Sequence, residues 1–447
     1  MAMNAAVSRA WRVNEHGRPG EVLRLEEVEV RAPGPGEVRV AADAVTLNFN
    51  DIDGIYGRYR TVVIDGDRIQ SVSAAPPTAA PDDEVVDLGG RTVMPGMVTC
   101  HFHSTYHELG STAAPYGNEY PPAYQALISA RNLMTALQWG YTGAVGAGGS
   151  NDVEPGVARA IEDGVIPGPR FLPSSRELST TGHSNDASPW YWDLHSTGAV
   201  RLCDGAEAFR AGVRTEIKRG ARVIKLFVTG GHGTTAPKHQ TEMTRDELAA
   251  AIDTAHSRGV LIRGHIVNKP AILMAIELGI DIVDHCDDMD DEVIAALVER
   301  GTYVVPSLHF PKYFLERFGS GLGFAADAAR ADLEHMYDVL PKADAAGVKL
   351  LLGDDYGAIG FPHGAYAGEL DLYVREAHMA PLDVIRWATR NGAAVMGRSD
   401  DLGGVEAGKL ADLLVVDGDP SADITALSGR QPVAVLKGGE VLAGELS

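Results

Sequence analysis

The 447-residue chain predicts an α/β fold: a (β/α)8 barrel of the TIM type, with a small β-sandwich domain built from both chain ends. Three observations predict it. Between residues 96 and 400, eight short apolar runs alternate with stretches of helical character. Strand-like texture precedes that region and returns after it. The apolar runs also carry ionisable residues near their C-terminal ends, where barrel enzymes keep their active sites.

The elements follow in chain order. Residues 58–95 read as the first part of the sandwich: "TVVIDGDRIQSVS" holds the hairpin signal Asp65-Gly66, and "EVVDLGGRTV" reads as a further strand. The intervening "AAPPTAAPDDE" is an Ala/Pro loop. Residues 96–400 supply the barrel strands "VTCHFH", "TGAVGAG", "RFLPSS", "RVIKLFV", "LIRGHIV", "DIVDHC", "TYVVPSL" and "KLLLGDD". Helical pieces separate them. In "MTRDELAAAIDTAHSRG", Thr244 and Glu247 make a capping box and Gly259 stops the helix. Residues 401–447, with "KLADLLVVDGDP" and "PVAVLKGGEVLAG", complete the sandwich.

Composition narrows the partners. A formal charge of −22 disfavours nucleic acid and anionic membrane, and 45% hydrophobic residues suffice for a substantial core. No segment approaches eighteen consecutive apolar residues. Cys100, Cys203 and Cys286 form no C-x-x-C, and their odd number fits a reducing compartment. The opening "MAMNAAVSRAWRVNEHG" lacks an apolar run of signal-peptide length, so a cytoplasmic address is expected. The expected partner is a small-molecule substrate, taken by a homo-oligomer.

The strand ends carry the chemistry. Strand one gives His101 and His103, one position apart and therefore on one face. Strands four, five, six and eight give Lys225, His265, His285 and Asp355. Taken singly, each reads as a hydrogen-bonded core residue, a snorkelling lysine or a turn carboxylate. At one mouth of one barrel, imidazoles and a carboxylate make a first shell for zinc or a similar divalent ion. Lys225 is the odd member, because an ammonium beside metal ions is repelled and its uncompensated burial is costly. As the carbamate formed with carbon dioxide, it becomes an anion able to bridge two metals.

With "RTVMPGMVTCHFH" leading in and "GKLADLLVVDGDP" leading out, this residue set resembles the amidohydrolase superfamily, in its imidazolonepropionase-like and prolidase-like branch. The resemblance covers residues 61–447. It implies a distorted barrel, a binuclear centre bridged by carboxylated Lys225, and hydrolysis of amide-type bonds. It implies that His101, His103 and Asp355 hold one metal, and His265 and His285 the other. Zinc is the first choice of ion; manganese, iron and cobalt are alternatives. Two cations lower the pKa of a shared water enough to supply a bridging hydroxide, which attacks the carbonyl carbon. Asp355 then takes the proton and passes it to the departing nitrogen. Strand eight often reads Gly-Thr-Asp in the family. Here it reads Gly353-Asp354-Asp355.

Residues 1–57 are the anomaly. "VLRLEEVEVRAPGPGEVRVAADAVTLNFNDIDGIYGRY" resembles the GroES-like N-terminus of medium-chain alcohol dehydrogenases. No G-x-G-x-x-G follows a strand anywhere in the chain, so hydride transfer is set aside. These residues are expected to add strands to the β-module. Single-metal deaminases of the superfamily often carry Glu three residues after the strand-five histidine. Asn268 stands there and Lys225 is present, which places deamination second to hydrolysis.

The loops bear on the substrate. His232 in "TGGHGTT" follows strand four, where it is expected to act on the carbonyl oxygen or a substrate group. "TGHSNDASPWYWDLHS" follows strand three and offers His183 and Tyr191 as substrate contacts, with Trp190 and Trp192 beside them. His309 and His363 are further candidates. Arg176 and Arg263 alone come forward to clamp a substrate carboxylate, and they make no clear pair. The expectation is therefore an amide, carbamate or urea with an apolar or aromatic substituent. A prolidase-like dipeptidase or N-acyl amino acid hydrolase is the alternative.

Overall fold

The computed structural model describes residues 6–13, 23–30, 61–73, 83–112, 114–186, 188–192, 198–232, 234, 236–319, 324–358 and 360–446. The chain divides into two compact units, Met1–Phe49 and Asn50–Ser447. In the first, β1 (Ala6–Val13) and β2 (Leu23–Val30) form an antiparallel pair, a sheet of two strands. The remainder of the GroES-like stretch lies outside the described residues.

The second unit opens with the hairpin β3 (Thr61–Asp65) and β4 (Arg68–Ser73), which turns through Gly66 at φ 59°. Glycine suits that left-handed position because it carries no Cβ. The expected strand in "EVVDLGGRTV" shrinks to β5 (Thr92–Pro95), because Gly89 and Gly90 form a turn ahead of it.

The barrel follows. Its strands are β6 (Met97–Phe102), β7 (Tyr141–Gly146), β8 (Arg170–Leu172) with β9 (Ser174–Ser179), and, after a short outer strand β10 (Val200–Leu202), β11 (Val223–Phe227). The ring continues with β12 (Leu261–Ile266), β13 (Ile282–His285), β14 (Tyr303–Val305) and β15 (Lys349–Leu350). All ladders between neighbours are parallel. Pro173, which has no N–H to donate, divides the third strand into β8 and β9. The ring closes where Cys100 N donates to Leu352 O at 2.6 Å and Asp354 N to His101 O at 3.1 Å. All eight predicted strands are present in the predicted order.

Alternation along these strands sorts the core. Val98, Cys100, Val145, Leu172, Val223, Ile282, Val305 and Leu351 share the cluster inside the ring. Their neighbours Ile224, Val283, Val304 and Leu350 point outward onto helical residues such as Phe209, Leu248, Ile272 and Leu297. Strands covered on both faces read as continuous apolar runs, which is how they stood out in the sequence. The helix Arg245–His256 carries the predicted capping box of Thr244 and Glu247.

The flanking module joins both sides of the barrel. β16 (Leu413–Val416) pairs antiparallel with β5 and with β17 (Ala434–Lys437), which pairs with β18 (Glu440–Gly444). Ile69, Val405, Leu413, Val415 and Leu436 form its core. No helix among the described residues is long and apolar enough to cross a membrane.

Candidate metal centre

Strand one delivers its two imidazoles as the period of two requires. His101 Nε2 and His103 Nε2 stand 3.1 Å apart, and Asp355 Oδ1 lies 3.0 Å from the first and 3.2 Å from the second. His103 is gripped behind by Gly148, whose carbonyl faces Nδ1 at 2.9 Å. Gly353 makes the approach of strand eight to strand one achievable: it sits at φ 149°, and a Cβ there would meet His101 N at 2.1 Å.

The doubled aspartate divides its work. Asp354 is fully buried and turned away, accepting N–H from His309 at 2.7 Å, Phe310 at 3.2 Å and Asp355 at 2.8 Å. Asp355 faces the imidazoles. Burial opposes its ionisation, but His101 and its neighbours hold its carboxyl well below the usual range. Burial and the Asp355 charge push Asp354 up to about 7.

His265 and His285 complete the second side, with ring centroids 4.5 Å apart. Burial holds the pKa of His285 well below its ordinary value. Burial, reinforced by Lys225, takes His265 down to about 3. Both rings are thus neutral, the form that ligates metal. His265 Nε2 and His285 Nδ1 are buried without a hydrogen-bond partner. Bare buried nitrogens are costly, and a metal ion would supply the missing partner. The donor set therefore fits a metal.

His232 also stands close, stacked on His285 at 3.7 Å between centroids, with Nε2 3.9 Å from Asp355 Oδ2. Its ring differs from the others. Nδ1 faces Asp287 at 3.2 Å and Nε2 faces the Ser307 carbonyl at 3.0 Å, so both nitrogens point at acceptors. Burial opposes its charge, yet Asp287 overrides this and lifts it to about 9. Facing two acceptors, His232 reads as a donor, while with His285 and Asp355 it also forms a group close enough to hold a metal ion. The backbone is strained here: His232, His285, Cys286 and Ser307 all have φ between 45° and 72°. Such strain concentrates at functional sites.

Lys225 has a partner that the sequence did not disclose. Its Nζ donates to Asp284 Oδ2 at 2.6 Å. Asp284 also receives Arg263, through Nε at 3.0 Å and through Nη2, and lies 3.3 Å from His101 Nδ1. Arg263 reaches the carbonyls of Cys100 at 2.6 Å and Gly146 at 3.1 Å, so one guanidinium ties strands one, two, five and six beneath the centre. It is thereby unavailable as a carboxylate clamp. Arg176 is spent too, on Glu216 at 2.7 Å.

The loop candidates fare unequally. His183 Nδ1 faces Glu242, whose side chain is buried, at 2.6 Å, while its Nε2 is buried and unpartnered. His309 starts a helix after strand seven with Nδ1 unpartnered. Both nitrogens of His363 are engaged, with Tyr366 Oη at 2.9 Å and the His103 carbonyl at 3.1 Å, so it braces the strand-one loop. Tyr191 is 70% exposed and Trp190 94%, stacked edge-on against each other. Sequence reasoning missed Asp284, Asp287, Glu177, Glu242 and Tyr106. Only Asp284 and Asp287 carried a signal, as neighbours of His285.

Known proteins resemble the chain over most of its length. The model of the amidohydrolase family matches residues 92–442. Ochratoxinase of Aspergillus niger is 30% identical over 380 residues, 79% of this chain and 76% of the relative. A prolidase crystallised with N-methylphosphonate-L-proline superimposes with a TM-score of 0.76 at 30% identity, covering 86% of this chain and 94% of that one. A Xaa-Pro dipeptidase with bound methionine gives 0.77 at 28% identity, with the same coverage. A chain with this barrel, this flanking module and this array of imidazoles and carboxylates belongs to the amidohydrolase family, a family of hydrolases.

Proposed function

We propose that the chain hydrolyses the C–N bond of an N-acyl amino acid, or of a related amide, carbamate or urea, bearing an apolar or aromatic substituent. His101, His103 and Asp355 would hold one divalent ion, and His265 and His285 the other. Lys225, carboxylated by carbon dioxide, would lie between the two. Zinc is the first candidate, with manganese, iron or cobalt as alternatives. The observation that carries this reading is the pair of bare buried nitrogens on His265 and His285, beside a carboxylate already shared by two imidazoles.

When bound, the ions would supply Lewis acidity, polarising a scissile carbonyl and lowering the pKa of a nearby water. The rest falls to the side chains. Asp355, ionised at neutral pH, accepts the proton of the attacking water and passes it to the departing nitrogen. His232, held cationic by Asp287, places positive charge where the carbonyl oxygen becomes negative. His183, with Nδ1 against Glu242, leaves Nε2 without a partner and available to a polar group of the substrate. The Lys225–Asp284 pair is the unmodified state: once the ammonium releases a proton, the free amine would add to carbon dioxide and lose a second proton to water, leaving a carbamate anion that Asp284 no longer attracts. A small-molecule substrate, a homo-oligomer and a cytoplasmic location complete the reading. The three cysteines are all free and buried, which fits a reducing compartment.

The test pairs metal analysis with a substrate panel. Protein loaded with metal in bicarbonate should contain about two equivalents per chain and cleave N-acyl amino acids within a set that also holds anilides, phenylureas and carbamates. Asp355→Asn should keep much of the metal and lose most turnover. Near-normal kcat in that variant, or a fully loaded protein inert toward the whole panel, would refute the assignment.

A further inference from the structure

Strand three contributes no residue to the centre proposed above, yet its end carries a buried carboxylate with no role in that chemistry. Glu177 is 2% exposed and lies in register with Lys225 on the neighbouring strand. One of its oxygens accepts the hydroxyl of Tyr106, and the other accepts Asn185 Nδ2 at 2.6 Å. Tyr106 belongs to the loop after strand one, and its ring lies flat on His103, 4.1 Å between centroids and 2° from parallel. Asn185 belongs to the loop after strand three, two residues beyond His183. Gly148 closes the arrangement: at φ 130° its missing side chain leaves room for Glu177, which a Cβ would meet at 2.7 Å, while its carbonyl faces His103 Nδ1.

We propose that Tyr106, Glu177 and Asn185 form a clamp that positions the strand-three loop, with His183 on it, against the face of the His103 imidazole. The tyrosine ring fixes the tilt of His103 by stacking. The carboxylate, out of water and committed at both oxygens, fixes the distance between that ring and the loop that meets the substrate. Tyr106 and Glu177 are positioning residues, acting through His103 and His183. The inference rests on the proposed hydrolase reading for the substrate side, and for the metal side only on His103 as a ligand in the group it forms with His101 and Asp355.

The clamp makes its two halves separable. Tyr106→Phe keeps the stacked ring and removes the hydroxyl, so it frees the loop only. KM for an N-acyl amino acid should rise about tenfold, the scale of one lost hydrogen bond to a charged group, with kcat changed less than about threefold. The rate at which a chelator strips metal should be unchanged. Tyr106→Ala also removes the ring, and metal loss should quicken about tenfold. Asn185→Ala breaks the same link from the other side and serves if a Tyr106 variant fails to fold. It should reproduce the KM rise, and the Tyr106→Phe/Asn185→Ala double variant should add little to either single change. An unchanged KM in both single variants, fully additive effects in the double variant, or metal loss as fast in Tyr106→Phe as in Tyr106→Ala would overturn the clamp. If the unaltered enzyme cleaves no member of the substrate panel, the hydrolase reading fails. The chelator comparison between Phe and Ala then still decides the metal side.

Discussion

Asp284 is the side chain whose loss should be felt most widely. It is completely buried and is the shared counter-ion of two buried cations, Lys225 at 2.6 Å and Arg263 through Nε and Nη2, with His101 Nδ1 at 3.3 Å. Burial favours its neutral form, but Arg263 and then Lys225 hold its carboxyl well below the usual range. Asp284→Asn keeps the shape and removes the charge, leaving two cations with one neutral amide between them. Removing one partner of a buried ion pair costs about 3–5 kcal/mol, because the surviving charge stays desolvated. Two surviving charges place this variant at the upper end of that range. Chemical denaturation of metal-free, bicarbonate-free protein should record the loss. Adding Lys225→Met to Asp284→Asn removes one stranded cation and should recover part of the stability, whereas Lys225→Met alone leaves the Arg263–Asp284 pair whole and should cost less. An unfolding free energy for Asp284→Asn within about 1 kcal/mol of the parent, or no recovery in the double variant, would refute the shared counter-ion.

Other outcomes follow from the same geometry. His265→Ala and His285→Ala should each lower metal content from about two equivalents toward one, while His232→Asn should keep both and lose turnover; metal analysis beside a kinetic assay reads this, and metal loss in His232→Asn would make it a ligand. Gly353→Ala drives a Cβ to within 2.1 Å of His101 N and should cost at least about 3 kcal/mol along with the metal, seen in a denaturation curve and a metal assay. Burial, with Lys312 adding to it, pushes His309 down to about 4 from 6.5, so folding resists its protonation. Its contribution is complete above pH 6.5 and is lost as pH falls toward 4, by up to about 3 kcal/mol, so stability curves for the parent and His309→Gln should converge in shape only above that window.

How much of this was legible in the sequence depends on whether a feature is local. The eight barrel strands were readable because burial on both faces turns each into an apolar run, and a charged or imidazole side chain interrupting such a run stands out. His101 and His103 share a face by the strand repeat alone. The closing of the barrel through Cys100 and Asp354 was not readable, because those bonds join residues that only the fold brings together. The same holds for the support beneath the centre. Lys225 meets Asp284 across 59 positions, Tyr106 meets Glu177 across 71, and His183 meets Glu242 across 59. A buried lysine read alone pointed to carboxylation, since no counter-ion was visible. The counter-ion stands one position before His285, in a strand counted for its histidine.

That difference bears on the chemistry. An ammonium already neutralised by Asp284 does not have to be carboxylated for the barrel to fold, so in the proposed centre carboxylation would be a loading step distinct from folding. Arg263 makes the separation workable, because it keeps a positive charge on Asp284 whichever state Lys225 is in. Loss of the Lys225 contact therefore leaves a paired carboxylate, not a bare one, still 3.3 Å from His101 Nδ1 to hold that ring in place. The strand-five arginine considered for substrate binding is thus committed to Asp284 and the neighbouring strands instead, and in the proposed centre it would be the fixed charge against which the lysine changes sign.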